Sequence, residues 1–315
     1  MAAGDCKRTR PPDRELIQPL PLGDGANTAV VTDSTAYLPD EILAEHAIEI
    51  VSLYVTLDGE ERRETEISGA AYDDFYERLA KSEKGATTSQ PSVGDFRAVY
   101  EPLLDAGREI VSLHISGGIS GTCEAARQAR QELIDEGRGA ERVTVWDSRS
   151  ACGGQGIAVI AAARAAARGA SGAETMEVVE HARDQLKMWF AIDTLEYLRK
   201  GGRIGSAQAW LGSALQIKPI LTLEEEITPV ERVRTRRRAF ERMVEFSRER
   251  AHDGAAGWVV QHIHDPDSAR RLVDECRQIH GCDPLFVSEI GPVIGAHIGP
   301  GLLGVGGVPL SVFEG

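Results

Sequence analysis

The amino-acid sequence predicts an α/β protein in two parts. A parallel-sheet, three-layer α/β/α domain is followed by an α+β domain with a mixed sheet. From residue 28 to 170, short apolar runs alternate with helical periodicity, the pattern of strands joined by crossover helices. From 218 to 235, the strand runs KPILTL and ITPVERVRT are separated only by Glu224-Glu225-Glu226, which suits an antiparallel pair. A chain of 315 residues is long enough for two cores of ordinary size. The expected division is a flexible tail over 1–26, the α/β domain over 27–165 and the α+β domain over 166–315.

In chain order, the tail has four prolines and mixed charge and lacks the apolar segment of a secretory signal. TAVVTDST (28–35) reads as a buried strand ending in a polar turn, LPDEILAEHAI (38–48) as a helix, and IEIVSLYVTL (48–57) as a further strand run before the hairpin-like turn DGEER. AAYDDFYERLAKS (70–82) is amphipathic, with Tyr72, Phe75, Tyr76 and Leu79 on one face. GATTSQPS reads as a polar loop and VGDFRAVYEPLLDAG as a helix. EIVSLHI (109–115) is a strand, SGGISG a loop, TCEAARQARQELIDEG a helix, RVTVWDS (142–148) a strand and GIAVIAAARAAARGA (156–170) an alanine-rich helix. In the second half, helices are expected at 176–188, in the small-residue run SAQAWLGSAL, in RRRAFERMVEFSRERAHD and in PDSARRLVDECRQIHG. GWVVQHIH and the terminal GVPLSVFEG read as strands.

The formal net charge of −14 disfavours wholesale binding to nucleic acid or to an anionic membrane. Five scattered cysteines with no CxxC pair suit a reduced cytoplasm better than a disulfide framework. His262 and His264 would share one face of a strand, but no third metal ligand at suitable spacing accompanies them, so a structural role is expected. Arg234, Arg236, Arg237 and Arg238 read as a solvated strand end and helix start. Asp33 and Asp147 each follow a strand and precede serine, which suits the capping of a turn.

The loops carry the chemistry. In a doubly wound sheet, ligands sit beyond the carboxyl ends of the strands. Four loops read that way are rich in hydroxyls: TDST (32–35), TTSQPS (87–92), SGGISGT (116–122) and DSRSACGGQG (147–156). Glycines and hydroxyls at a helix start suit an anion, whereas the plainer reading makes Ser120 a helix cap and Thr88 a cap for the segment after it. The chain lacks GxxxxGK[ST] and GxSxG, and GGQGIA is only a broken echo of GxGxxG.

Seven of these stretches (VTDST, TTSQPS, ISGGISGT, WDSRSACGGQG, LEYLRKGGRIG, IKPIL and GAHIGPG) occur in an order and spacing that resemble the DegV family of fatty-acid-binding proteins. Two departures are visible: Ser116-Gly117-Gly118-Ile119 where the family usually has paired serines, and Glu224-Glu225-Glu226 in place of its Asp-Gly hairpin. The resemblance implies a carrier, not an enzyme, that holds one long-chain fatty acid such as palmitate between its domains. It would present the carboxylate to a separate ATP-dependent fatty acid kinase subunit for acyl-phosphate formation. By motif, Thr88 and Ser120 would bond the carboxylate, with Ser89 and Gly121 beside them and His297 near the head group. Arg203 would belong to the surface the kinase engages. No cofactor, catalytic residue or metal is implied, and membrane contact would be transient at most. Physical chemistry is consistent: a buried carboxylate needs donors, and each buried methylene contributes roughly 0.8 kcal/mol. His297 has a second reading, as a residue that merely holds its glycine-rich loop. The alternative function is an enzyme, a phosphotransferase or acyl hydrolase using the same hydroxyl loops.

Overall fold

The computed structural model describes residues 27–211 and 217–314, so the expected tail lies outside the described residues. Three sheets form. The first is parallel throughout, in the order β2-β1-β6-β7, from β1 (Thr28–Asp33), β2 (Glu49–Val51), β6 (Glu109–His114) and β7 (Val143–Asp147). Central β1 and β6 pair Thr32 with Leu113, and their residues are almost wholly buried, as expected of strands covered on both faces.

Helices α3 (Val93–Asp105) and α4 (Thr122–Asp135) cover one face, meeting Val31 and Ile110 through Phe96, Tyr100, Ala126 and Leu133. Helices α5 (Cys152–Ala167) and α6 (Gly172–Gln185) cover the other and complete the three layers. α3 begins with a capping box: Ser92 Oγ accepts from Asp95 N at 3.1 Å and the Asp95 carboxylate accepts from Ser92 N at 2.8 Å. The cap is therefore Ser92, not Thr88.

The second large sheet is mixed, in the order β10-β9-β8-β13-β11-β12. Its strands are β8 (Lys187–Ala191), β9 (Lys218–Leu223), β10 (Ile227–Val233), β11 (Gly257–His262), β12 (Phe286–Glu289) and β13 (Leu303–Val308). Only β11 and β12 run parallel; β9 and β10 form the expected antiparallel hairpin. α8 (Arg236–His252) and α9 (Pro266–His280) bury Met243, Phe246 and Leu272 against one face of it. α5 packs between the two large sheets, its alanines and glycines meeting Val30 and Leu113 of one and Val259 of the other. Small side chains suit such a position, since they let a sheet approach from either side.

Several expectations are corrected. The run 48–57 divides into β2 and β3 (Tyr54–Leu57), which belong to different sheets. TTSQPS is not all loop: β5 (Ala86–Ser89) pairs antiparallel with β3, and β4 (Glu60–Arg63) completes a small third sheet. Within SAQAWLGSAL the described part is a 3-10 turn, Gly205–Trp210. The terminal strand ends at Val308; Leu310–Phe313 form a 3-10 turn in which Pro309 breaks the ladder. β11 also ends before His264, which lies at φ 50° and pairs with Asp73 of α2 (Ala70–Lys81) at 3.2 Å, while His262 Nδ1 accepts from Asp265 N. The two rings do not share a strand face, and no metal-holding cluster occurs among the described residues. Nor is any described helix long and apolar enough to cross a membrane.

Candidate functional site

A cavity of about 380 Å³ lies between the parallel and mixed sheets, within the range of small-molecule sites. Its body is apolar: Ile115 follows β6, Phe190 comes from β8, Leu223 and Ile227 flank the β9–β10 turn, and Val293 and Ile298 come from α10 (Pro292–Ile298). Thr88, Ser89, Ser120, Gly121, His297 and Arg203 all line it. Six residues spread over more than two hundred positions of sequence therefore line one cavity. Three of the four hydroxyl loops leave the carboxyl edge of the parallel sheet, as expected. The fourth group, Thr88 and Ser89, arrives instead on β5 of the small sheet.

His297 is not in a loop; it occupies the last turn of α10. Its Nε2 lies 2.7 Å from Thr88 Oγ1. Burial, with the Arg203 charge adding to it, pushes the imidazole down to about 4, so the ring is neutral near pH 7. Its buried Nδ1 has no hydrogen-bond partner and faces Gly201, where a β-carbon would come within 2.3 Å of it. The Gly201 Cα–H that takes that place points at a bare nitrogen and would repel an N–H. The network thus assigns the proton to Nε2, which donates to Thr88 Oγ1 and leaves the threonine hydroxyl hydrogen free to donate elsewhere.

Ser120 lies just before α4. Its Oγ lies 2.8 Å from Thr122 Oγ1 and accepts from Thr122 N at 3.3 Å, so part of the capping role is real. The N-cap position itself is Gly121, against which the Gln90 side chain packs so closely that a β-carbon would meet Gln90 Oε1 at 2.1 Å. Gly117 N donates to Asp147 Oδ2, Gly118 N to Ser116 Oγ, and Ile119 N and Ser120 N to Ser116 O. The amides from 117 to 120 are thereby used within the protein. Arg203 is exposed, and its guanidinium donates to Gly201 O at 2.7 Å and Ile119 O at 3.4 Å. With exposed Ser89 and Gln90 it marks where the cavity reaches the surface.

Two groups of residues escaped the sequence reading. Glu64 is buried, and its carboxylate accepts from Ser34 Oγ (2.6 Å), Tyr37 Oη (2.6 Å) and Val293 N (2.8 Å), so it holds the start of α10. Burial pushes its carboxyl up to about 7, against the pull of those donors. Gln261, also buried, lines the cavity; its Oε1 accepts from Gly153 N and its Nε2 donates to Ser288 Oγ at 2.8 Å.

Hydrolase-like geometry does occur, but away from the cavity. Asp33 Oδ2, His114 Nδ1 and Nε2, and Ser112 Oγ are linked at 3.1 and 2.7 Å. All three side chains are fully buried, Ser112 Oγ lies 2.7 Å from Tyr100 Oη, and Asp33 also accepts from Thr35 N and Ile115 N. No substrate reaches such a serine; the network fixes the β1 and β6 ends. Asp147 caps its turn through Arg149 N at 2.8 Å, and Arg236, Arg237 and Arg238 pair with Asp193, Glu241 and Glu245.

A mostly apolar cavity with neutral hydroxyls and a neutral imidazole in its lining, between a parallel and a mixed sheet, defines a small-molecule-binding α/β protein. Residues 27–310 match the family described as uncharacterised protein, DegV family, and the chain belongs to the DegV family. A DegV domain-containing protein of Clostridium acetobutylicum is 39% identical over 279 residues, spanning 88% of this chain and 95% of the relative. Protein DegV of Bacillus subtilis is 36% identical over 283 residues, 89% and 98% of the two chains. Among solved structures, a DegV family protein of Thermus thermophilus, described as fatty acid binding, superposes with a TM-score of 0.79 at 33% identity, covering 90% of this chain and 99% of its own. DegV of Bacillus subtilis, described as a fatty acid binding protein, gives 0.78 at 35% identity, covering 89% and 98%.

Proposed function

We propose that this protein is a carrier that binds one long-chain fatty acid, such as palmitate, in the cavity between the sheets. The observation that carries this reading is the cavity's lining: a mostly apolar body with Thr88, Ser89, Ser120 and His297 among its few polar groups and Thr88 Oγ1 joined to His297 Nε2. Thr88 and Ser120 supply the hydroxyls for the carboxylate, with Ser89 and Gly121 beside them. His297 acts through Thr88, holding its oxygen so that its hydrogen faces the ligand. Neutral donors suit an ion that arrives with its own charge. The acyl chain lies along the apolar wall, whose burial outweighs the cost of ordering it.

The carboxylate end sits beside exposed Arg203, which suits delivery to a separate ATP-dependent fatty acid kinase subunit working in the cytoplasm. Mass spectrometry of protein denatured directly after purification should release about one C14–C18 acid per chain. Extracts free of fatty acid, together with no binding of added palmitate, would overturn the reading. Arg203→Ala should keep palmitate affinity and lower acyl-phosphate formation with the cognate kinase; a collapse of affinity would move Arg203 into the pocket.

A further inference from the structure

The walls of the cavity are not equally anchored. α10 is pinned by Glu64 and Tyr37 at its start, and Tyr76 Oη donates to Ile290 O just before it. α5 lies within the core between the sheets. The β9–β10 hairpin differs: among the described residues β10 is an edge strand that pairs with β9 alone, Ser206 Oγ donates to Ile227 O at 3.3 Å just after the turn, and the turn Glu224-Glu225-Glu226 is exposed. Yet Leu223 and Ile227, on either side of that turn, both line the cavity.

What holds the turn down is a small set of contacts with the loops of the parallel sheet. Ser116 Oγ donates to Glu225 O at 2.7 Å, and Arg183 donates to Glu224 O at 3.1 Å while also reaching Ser148 O and Arg149 O. The Glu225 carbonyl sits so close to Gly118 that a β-carbon there would lie 2.2 Å from it. Ser116 is fully buried, and its own carbonyl and Oγ also organise Gly118, Ile119 and Ser120. One side chain therefore ties the loop 117–120 directly to the hairpin turn.

We propose that the β9–β10 turn is the gate through which ligand enters and leaves, and that Ser116, through Glu225 O, is its latch. This rests on the fatty-acid reading above. Neither Ser116 nor Glu225 lines the cavity, so the latch bond makes no contact with ligand and its loss weakens the closed state equally with and without ligand. Exchange then speeds up in both directions while affinity is kept.

Stopped-flow binding of cis-parinarate, a fluorescent C18 acid, tests this. Ser116→Ala should raise the association and dissociation rate constants together by about five- to tenfold, the worth of one hydrogen bond, with Kd within about twofold. Gly118→Ala keeps Ser116 and displaces the Glu225 carbonyl by its β-carbon, so it should shift both rates in the same sense. Both rates unchanged in both variants would overturn the gate while leaving fatty-acid binding intact. Faster dissociation with unchanged association, and hence a higher Kd, would also overturn it, since Ser116 would then only support the pocket. A wild-type protein that takes up no cis-parinarate would remove the fatty-acid reading and the gate with it.

Discussion

On the proposed reading, single side chains decide how the ligand's charge is met in this cavity. Ser120 has two partners in one residue, the α4 start and the cavity, and the geometry lets their weights be separated. Ser120→Ala should weaken palmitate binding by about ten- to a hundredfold, because a hydrogen bond to a charged group contributes roughly 1.5–3 kcal/mol. The lost cap should lower ligand-free stability by only about 1 kcal/mol. A variant that binds palmitate within twofold of wild type and melts several degrees lower would make Ser120 a cap alone. For His297, neutrality has a consequence. With the imidazole held at about 4, palmitate affinity should stay flat from pH 6 to 8 by calorimetry; a fall tracking an ordinary histidine would show the ring binding as a cation. Ser120 stood out because hydroxyls among glycines are unusual choices for a strand-to-helix junction, whereas Thr88 and His297 were singled out through the resemblance of TTSQPS and GAHIGPG to the family's motifs. Glu64 was not: in GEERRETEIS it is one acid among four, and nothing local distinguishes the buried one.

Elements place those side chains, and here Glu64 matters most. It caps α10 from 229 residues away, with Tyr37 Oη meeting Ile294 N beside it, and α10 carries His297 to Thr88. A buried carboxyl raised from 4.5 to about 7 binds a proton more readily folded than unfolded. Its contribution is therefore fully present below about pH 4.5 and is lost as pH rises through about 7. Glu64→Gln keeps an acceptor oxygen for Tyr37 and Val293 and offers an amide to Ser34 Oγ, as a protonated carboxyl would. Denaturant melts should show this variant gaining on wild type by on the order of 3 kcal/mol at pH 8.5 and little at pH 4.5. A Gln variant that loses ground at pH 8.5 would mean the charge itself holds α10. The helices α2, α3, α4, α8 and α9 and the strands β1, β6 and β7 were visible from periodicity and apolar runs, whereas α10, part of which was read as a glycine-rich loop, was not. β5 was hidden because ATTS carries no apolar alternation; its ladder with β3, not its side chains, makes it a strand. Likewise the break between β2 and β3 follows from pairing with two different sheets, which an unbroken apolar run does not reveal.

At the scale of the whole molecule, the parallel and mixed sheets meet through α5, and the cavity occupies the remaining space between them. Its lining comes from both sides: Ile115 and Ser120 from the parallel-sheet side, Phe190, Leu223 and Leu302 from the mixed-sheet side. An acyl chain filling it would add apolar contact to each side at once and so act as a shared piece of core. Ligand that binds only the folded protein at a free concentration one hundred times Kd stabilises it by about 2.7 kcal/mol. For a single transition of the whole molecule that corresponds to a rise in Tm of roughly 4–5 °C. Because both sides touch the same ligand, calorimetry with palmitate should show one sharper transition moved upward as a whole. If palmitate instead raised only part of the heat absorption and left a second transition where it stood, the lipid would be bound by one side of the molecule. The placement of its chain between the sheets would then be wrong, even with binding itself secure.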